Sequence, residues 1–218
     1  MTKDEAQRRP STLLRAVSLS NGRWTFDEAV RFGDMMKSIT LITGGARSGK
    51  SSFALDLARK KYDRRVFIAT AVAFDEEMKR RIVQHQKERG NLFHTLEEPV
   101  HLTETLSAVP PGTEVVLVDC LTVWIGNLYH HFQQNEAAVR SHLNEFIEGI
   151  SQVSYDLILV TNEVGWGIVP ENPLARSFRD MAGYLNRKAA EKAKSVYLLC
   201  CGIPLEVKNP LRPHGVLL

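Results

Sequence analysis

The 218-residue chain has room for one substantial domain, and its 44% apolar content matches a globular protein with a sizeable core. A net charge of +3, with 24% charged residues, is too mild an excess to argue for nucleic acid as a partner. No apolar run approaches the roughly 18 residues of a membrane span, and no apolar leader marks secretion, so a cytoplasmic protein is expected. Cys120, Cys200 and Cys201 form no C-x-x-C pair and end apolar runs, which predicts buried reduced thiols.

Residues 1–38 read as an extension, helical in part or flexible. They carry Arg8, Arg9, Arg15, Arg23 and Arg31, and Asp4, Glu5, Asp27 and Glu28 exclude a transit peptide. Met35 and Met36 are alternative starts just before the first core strand. From there to residue 208 the pattern is strand, then amphipathic helix, repeated. Ile39–Thr43 is a short strand ending in glycine, and Ser51–Lys61 is a helix with Arg59, Lys60 and Lys61 in its last turn. Arg65–Thr70 is a second strand and Asp75–Lys87 a second helix. Glu114–Asp119 is a continuous apolar strand, the kind that helices cover on both faces.

A helix over Asn135–Val153 follows, with Leu143, Phe146, Ile147 and Ile150 on one face. Next come strand Asp156–Thr161 and a long helix opening at Asn172-Pro173, a cap followed by a proline at the first helical position. Strand Ser195–Cys200 follows, and the remainder reads as a proline-rich tail, the domain closing at residue 208 with 209–218 beyond it. The alternation predicts an α/β, P-loop NTPase-like three-layer fold with a mostly parallel central sheet.

Gly44-Gly45-Ala46-Arg47-Ser48-Gly49-Lys50-Ser51 satisfies G-x-x-x-x-G-K-[ST] between a strand and a helix. Glycines let backbone N–H groups close on phosphates, Lys50 reaches the outer phosphates, and the Ser51 hydroxyl reaches Mg²⁺. Asp119, closing its strand, is the candidate acid for the metal or its waters; a turn aspartate is the alternative. Arg47 either adds charge to the cradle or faces solvent. Met78, Arg81, Ile82 and His85 share one face of the second helix. His85 is a packed or surface histidine on that pattern alone, although imidazole, titrating near ~6.5, is able to attack phosphorus at neutral pH.

Four motifs in order settle that choice by resemblance. They are the P-loop, Ile68-Ala69-Thr70, the run Asp75-Glu76-Glu77-Met78 with Arg81-Ile82 and His85, and Thr161-Asn162-Glu163-Val164-Gly165-Trp166-Gly167-Ile168-Val169-Pro170 with Ala175-Arg176 and Phe178-Arg179-Asp180. From about Ile39 to Lys208 the chain resembles the bifunctional adenosylcobinamide kinase/adenosylcobinamide-phosphate guanylyltransferase family of cobalamin nucleotide-loop assembly. The resemblance implies phosphorylation of adenosylcobinamide with ATP or GTP. Transfer of GMP from GTP through a guanylyl-histidine then gives adenosylcobinamide-GDP and pyrophosphate. It puts the nucleophile at His85 and nucleotide contacts at Gly44–Ser51, Ala69, Thr70, Ala71, Gln86, Lys87, Glu88, Arg89, Glu97 and Asp119. It also implies a homotrimer.

Ala71 departs from the serine of some relatives, and Gln84 and Gln86 flank a single histidine where some relatives carry two. Asn162 and Glu163 leave the carboxyl end of a strand, where open α/β sheets bind ligands. Gly165 and Gly167 frame Trp166 in either a ligand-facing loop or a tight turn over a buried tryptophan. Arg176 and Arg179 meet phosphates or are surface charge, and His130-His131 is surface. A P-loop small-molecule kinase without guanylylation, and a nucleotide-gated regulatory or assembly module, are the competing functions.

Overall fold

The computed structural model describes residues 37–209. The extension assigned to 1–38 and the tail assigned to 209–218 therefore lie almost wholly outside the described residues. Ser38 already belongs to the core: its N–H donates to Asp156 Oδ1 at 2.8 Å and its carbonyl accepts from Leu157.

The elements in order are β1 (Ile39–Gly44), α1 (Lys50–Lys61), β2 (Arg65–Ala69), α2 (Glu76–Arg89), β3 (His94–Glu97), α3 (Leu102–Ser107), β4 (Val115–Asp119), α4 (Leu121–His131), α5 (Glu136–Gly149), β5 (Asp156–Val160), α6 (Pro173–Lys192), β6 (Ser195–Cys200) and β7 (Ile203–Lys208). The seven strands make one sheet in the order β3-β2-β4-β5-β1-β6-β7. All neighbours run parallel except the terminal β6–β7 pair. The expected three-layer, mostly parallel α/β architecture is the one observed.

Two apolar clusters lie on the two faces of the sheet. On one, Ala54, Leu55 and Ala58 of α1 pack on Ile42, Phe67, Val115, Leu117, Ile158 and Val160. On the other, α3–α6 bring Leu102, Trp124, Leu128, Leu143, Phe146 and Leu185 against Leu41, Val116, Val118 and Leu159. β4 is the clearest product of this arrangement. Its four valine and leucine residues are fully buried because each face meets helices.

Several expectations change. The helix over Asn135–Val153 stops at Gly149, where Ser151 and Gln152 donate to Glu148 and Gly149 in tight turns, although Ile150 stays in the core. The supposed tail before residue 209 holds β7, an antiparallel edge strand that accommodates Pro204 because an edge position tolerates a missing N–H. Cys200 and Cys201 are exposed rather than buried, Cys200 at the last β6 position paired with Ile203 at the sheet edge and Cys201 in the turn beyond it, and Cys120 is half-buried. Trp166 is 71% exposed, which removes the buried-tryptophan turn.

Candidate functional site

Parallel strands deliver their carboxyl ends to one edge of the sheet, and the following segments gather there. The P-loop leaves β1 at that edge. Gly44 has φ 147°, and a Cβ there would stand 2.4 Å from the carbonyl oxygen of Leu199 on β6. Gly49 adopts φ 93° at the entry to α1, and Arg47, at φ 56°, takes a left-handed conformation without being glycine. Gly202, in the β6–β7 turn, donates its N–H to Ser48 O at 3.1 Å and braces the loop from outside. Gly44→Ala is expected to destabilise the protein by about 1–3 kcal/mol, because the backbone of β6 or the loop must shift. Urea unfolding of the variant checks this.

No side chain caps α1, so the amides of its first turn are free to meet an anion, and the helix dipole favours one. Lys50 is 7% exposed and bends back on the loop, donating to Gly45 O at 2.5 Å. Burial pulls its ammonium below the usual lysine range, and the Cys120 and Asp119 charges oppose that shift. In this geometry the ammonium sits over the concavity that the loop encloses, where a bound phosphate would replace the carbonyl as its partner.

Asp119 closes β4, two strands from β1, with β5 between them. Its carboxyl is enclosed deep at the sheet edge while the residue keeps some solvent access. Burial pushes its pKa up; a hydrogen bond from Ser51 and the charges of His85, Lys50 and Arg89 pull the other way. Four side chains from α1 and α2 thus bear on one carboxylate. A raised carboxyl pKa means that the fold binds the proton more tightly than the unfolded chain does. Stability from this group therefore falls as pH rises from the unfolded-chain value toward the raised one, and the cost is full above the raised value. Asp119→Asn is expected to raise the melting temperature of the nucleotide-free protein at pH 7, with the gain shrinking toward acid pH, while impairing nucleotide turnover. Melting curves across pH check the sign.

α2 brings His85 to this carboxylate. Asp75 caps the helix by accepting from Met78 N at 2.7 Å, and Glu76 and Glu77 occupy its first turn. Met78, Ile82 and His85 are half-buried on the inner face and Arg89 is buried, whereas Gln86, Lys87 and Glu88 are exposed. Glu88 accepts from Gln84 at 2.8 Å on the outside. Arg89 lies with its guanidinium 4.3 Å from the Phe67 ring centroid and interacts electrostatically with Glu97 and Asp119. Arg59 Nη2 on α1 donates to Glu88 O at 2.5 Å and to Arg89 O at 3.3 Å, fastening the end of α2.

β2 and β3 end beside each other, with Ala69 opposite both Asp119 and Glu97. Ala71 is half-buried in the segment beyond. Thr70 is fully buried and its polar groups are committed. Its hydroxyl donates to Cys120 O and accepts from Cys120 N, both at 2.9 Å, its N–H donates to Asp119 O, and its carbonyl accepts from Asn127. Thr70 thus fixes the turn after Asp119 and has no spare donor for a nucleotide. Arg179 Nη2 and Arg176 Nη1 donate to the carbonyls of Gly165 and of Pro170 and Glu171, so these arginines hold the loop after β5.

Among the described residues no cluster of three His, Cys, Asp or Glu side chains is arranged for a metal. The donor set present, a serine hydroxyl on an acid whose ionised form is costly without a cation, matches Mg²⁺, which takes few protein ligands and completes its shell with phosphate and water. Among those residues no helix is long and apolar enough to cross a membrane.

The sequence model of the family described as cobinamide kinase / cobinamide phosphate guanyltransferase matches residues 40–207. The bifunctional adenosylcobalamin biosynthesis protein CobU of Escherichia coli (strain K12) is 38% identical over 179 residues, covering 77% of this chain and 98% of that protein. CobP of Pseudomonas aeruginosa, a bifunctional adenosylcobalamin biosynthesis protein, is 39% identical over 169 residues, covering 78% and 96%. A solved ATPase from the type III secretion system of pathogenic bacteria superposes with a TM-score of 0.50 at 12% identity, over 75% of this chain and 51% of that one; it speaks for the P-loop NTPase fold alone. With the matched span covering β1 to β7 and every site residue above, the chain belongs to the cobinamide kinase / cobinamide phosphate guanyltransferase family.

Proposed function

We propose that this protein phosphorylates the aminopropanol hydroxyl of adenosylcobinamide with ATP or GTP. It then transfers GMP from GTP, through a guanylylated His85, to adenosylcobinamide phosphate. The observation that carries the reading is the convergence of Lys50, Ser51, His85 and Arg89 on Asp119, which supports reading His85 as a nucleophile beside a phosphate cradle.

In the first reaction the P-loop amides and Lys50 hold the β- and γ-phosphates, and the acceptor oxygen attacks the γ-phosphorus as the bond to the nucleoside diphosphate breaks. In the second, a ring nitrogen of His85 attacks the α-phosphorus of GTP and the bond to pyrophosphate breaks. Lys50 offsets charge developing on the leaving group. An oxygen of the acceptor phosphate then attacks the histidine-bound phosphorus, the P–N bond breaks, and His85 is regenerated. Ser51 and Asp119 would hold Mg²⁺, whose charge neutralises phosphate oxygens when bound. Arg89 and Glu97 line the same edge, Arg89 suited to phosphate and Glu97 to a ribose hydroxyl.

The family resemblance is the basis for placing the enzyme in the cytoplasm as a homotrimer. Incubation with adenosylcobinamide, GTP and Mg²⁺, followed by product chromatography, tests the function. Adenosylcobinamide-GDP with pyrophosphate is expected. Accumulation of adenosylcobinamide phosphate alone would leave a kinase without guanylylation, and GTP binding with no corrinoid product would leave a regulatory module.

A further inference from the structure

A chain of buried polar side chains crosses beneath the P-loop on the face opposite His85. Thr122 and Thr161 share a hydrogen bond at 3.2 Å, and Thr161 donates to Asn186 Oδ1 at 2.7 Å. Asn186 Nδ2 in turn donates to Asn162 O at 3.0 Å and to Glu163 Oε1 at 3.1 Å. Thr43 Oγ1, one residue before the P-loop, donates to the same Oε1 at 2.7 Å, and the Glu163 N–H donates to Gly44 O at 3.1 Å. Thr161 is fully buried and Asn186 is 7% exposed, so the network is a built scaffold rather than a surface accident.

Its product is a carboxylate fixed at one oxygen only. Glu163 Oε2 makes no hydrogen bond among the described residues, and the residue is half-buried, not sealed in the core. The group stands at the carboxyl end of β5, the strand between the P-loop strand and the Asp119 strand. Adjacent strands are about 4.8 Å apart. A side chain leaving β5 therefore emerges between the phosphate cradle and the acid of β4. Nucleotide contacts already account for the α1–α2 face, and the kinase step needs one more group: an acceptor for the hydroxyl proton on the side of the incoming substrate.

We propose that Glu163 is that group, the base that orients and deprotonates the acceptor hydroxyl in the kinase step. The proposal rests on the kinase reading above. As the hydroxyl oxygen bonds to the γ-phosphorus, the bond from that phosphorus to the β–γ bridging oxygen breaks, and the electron pair leaves with the nucleoside diphosphate. The hydroxyl proton passes to Glu163 Oε2 and from there to solvent. The guanylyl step has a phosphate as its acceptor, which is already ionised and needs no base. Glu163 therefore serves one of the two reactions.

Glu163→Gln tests this, because glutamine Oε1 still accepts from Thr43 and Asn186 while the basic oxygen is lost. The kinase kcat is expected to fall on the order of 10²-fold with the KM for nucleotide within about twofold. Guanylylation of the protein by GTP, and GMP transfer to supplied adenosylcobinamide phosphate, are expected to continue at near wild-type rates. A parallel fall in both reactions would assign Glu163 to holding the P-loop, and an unchanged kinase rate would remove it from the chemistry; either overturns the proposal. Wild-type protein that leaves adenosylcobinamide unphosphorylated would instead defeat the kinase reading itself.

Discussion

Lys50→Ala is expected to lower the rates of both reactions on the order of 10³-fold, with the fold retained. The two steps cleave different bonds of the triphosphate, yet both leave charge on oxygens that the P-loop holds. Lys50 is the buried cation above that loop. Its ammonium is held ready by Gly45 O at 2.5 Å and is partly desolvated, and a cation already oriented in a low-dielectric site stabilises developing charge far more than one in water. Loss of a single such donor costs about 10²–10³-fold in well-studied hydrolases. Here the loss also weakens triphosphate binding. Steady-state rates of each reaction, run separately with adenosylcobinamide and with its phosphate, check the expectation. A variant impaired in only one of them would show that the two reactions do not share this cradle.

His85→Ala is expected to divide the reactions where Lys50→Ala does not. Covalent uptake of GMP should vanish and net guanylyl transfer should fall below detection, because no other side chain replaces the attacking nitrogen. Kinase activity should stay within a few-fold of wild type, since γ-phosphoryl transfer forms no bond to the protein. The fold should be unaffected. His85 is half-buried on α2, a helix whose only buried residue is Arg89, so truncating the imidazole leaves no core cavity. Separate assays of the two half-reactions, with melting curves as the folding control, check each part.

The P-loop and β4 were legible in the sequence because local rules determine them: glycine where the backbone needs it, and a continuous apolar run where both faces are covered. The cap and proline at Asn172-Pro173 were legible for the same reason; Asn172 accepts from Ala175 N as expected. α4 was missed although Leu121, Trp124, Ile125, Leu128 and Tyr129 recur at helical spacing and are buried together; Cys120 supplies no side-chain cap, so no start signal marks the helix in the sequence. β3 is too short, and β7 carries a proline that reads as loop until its edge position is known.

Within the site, periodicity put His85 on the inner face of α2, but only the tertiary fold brings that face toward a carboxylate on β4. Arg89 was named only through the family resemblance, as a nucleotide contact; its burial over Phe67 comes from packing α2 against the sheet. The Thr43–Glu163–Asn186 network was invisible for a plainer reason. Thr43 and Glu163 are 120 positions apart, and nothing in either segment alone predicts that parallel pairing of β1 with β5 will join them.

Intact-mass measurement of the protein after incubation with GTP and Mg²⁺ reaches the central claim most directly. The wild-type chain is predicted to gain the mass of one guanylyl group, stable to base and labile to acid as a phosphoramidate is, and His85→Ala to gain none. A guanylyl adduct that persists in His85→Ala, or a wild-type mass that never changes while adenosylcobinamide-GDP accumulates, would contradict the assignment of a covalent His85 intermediate.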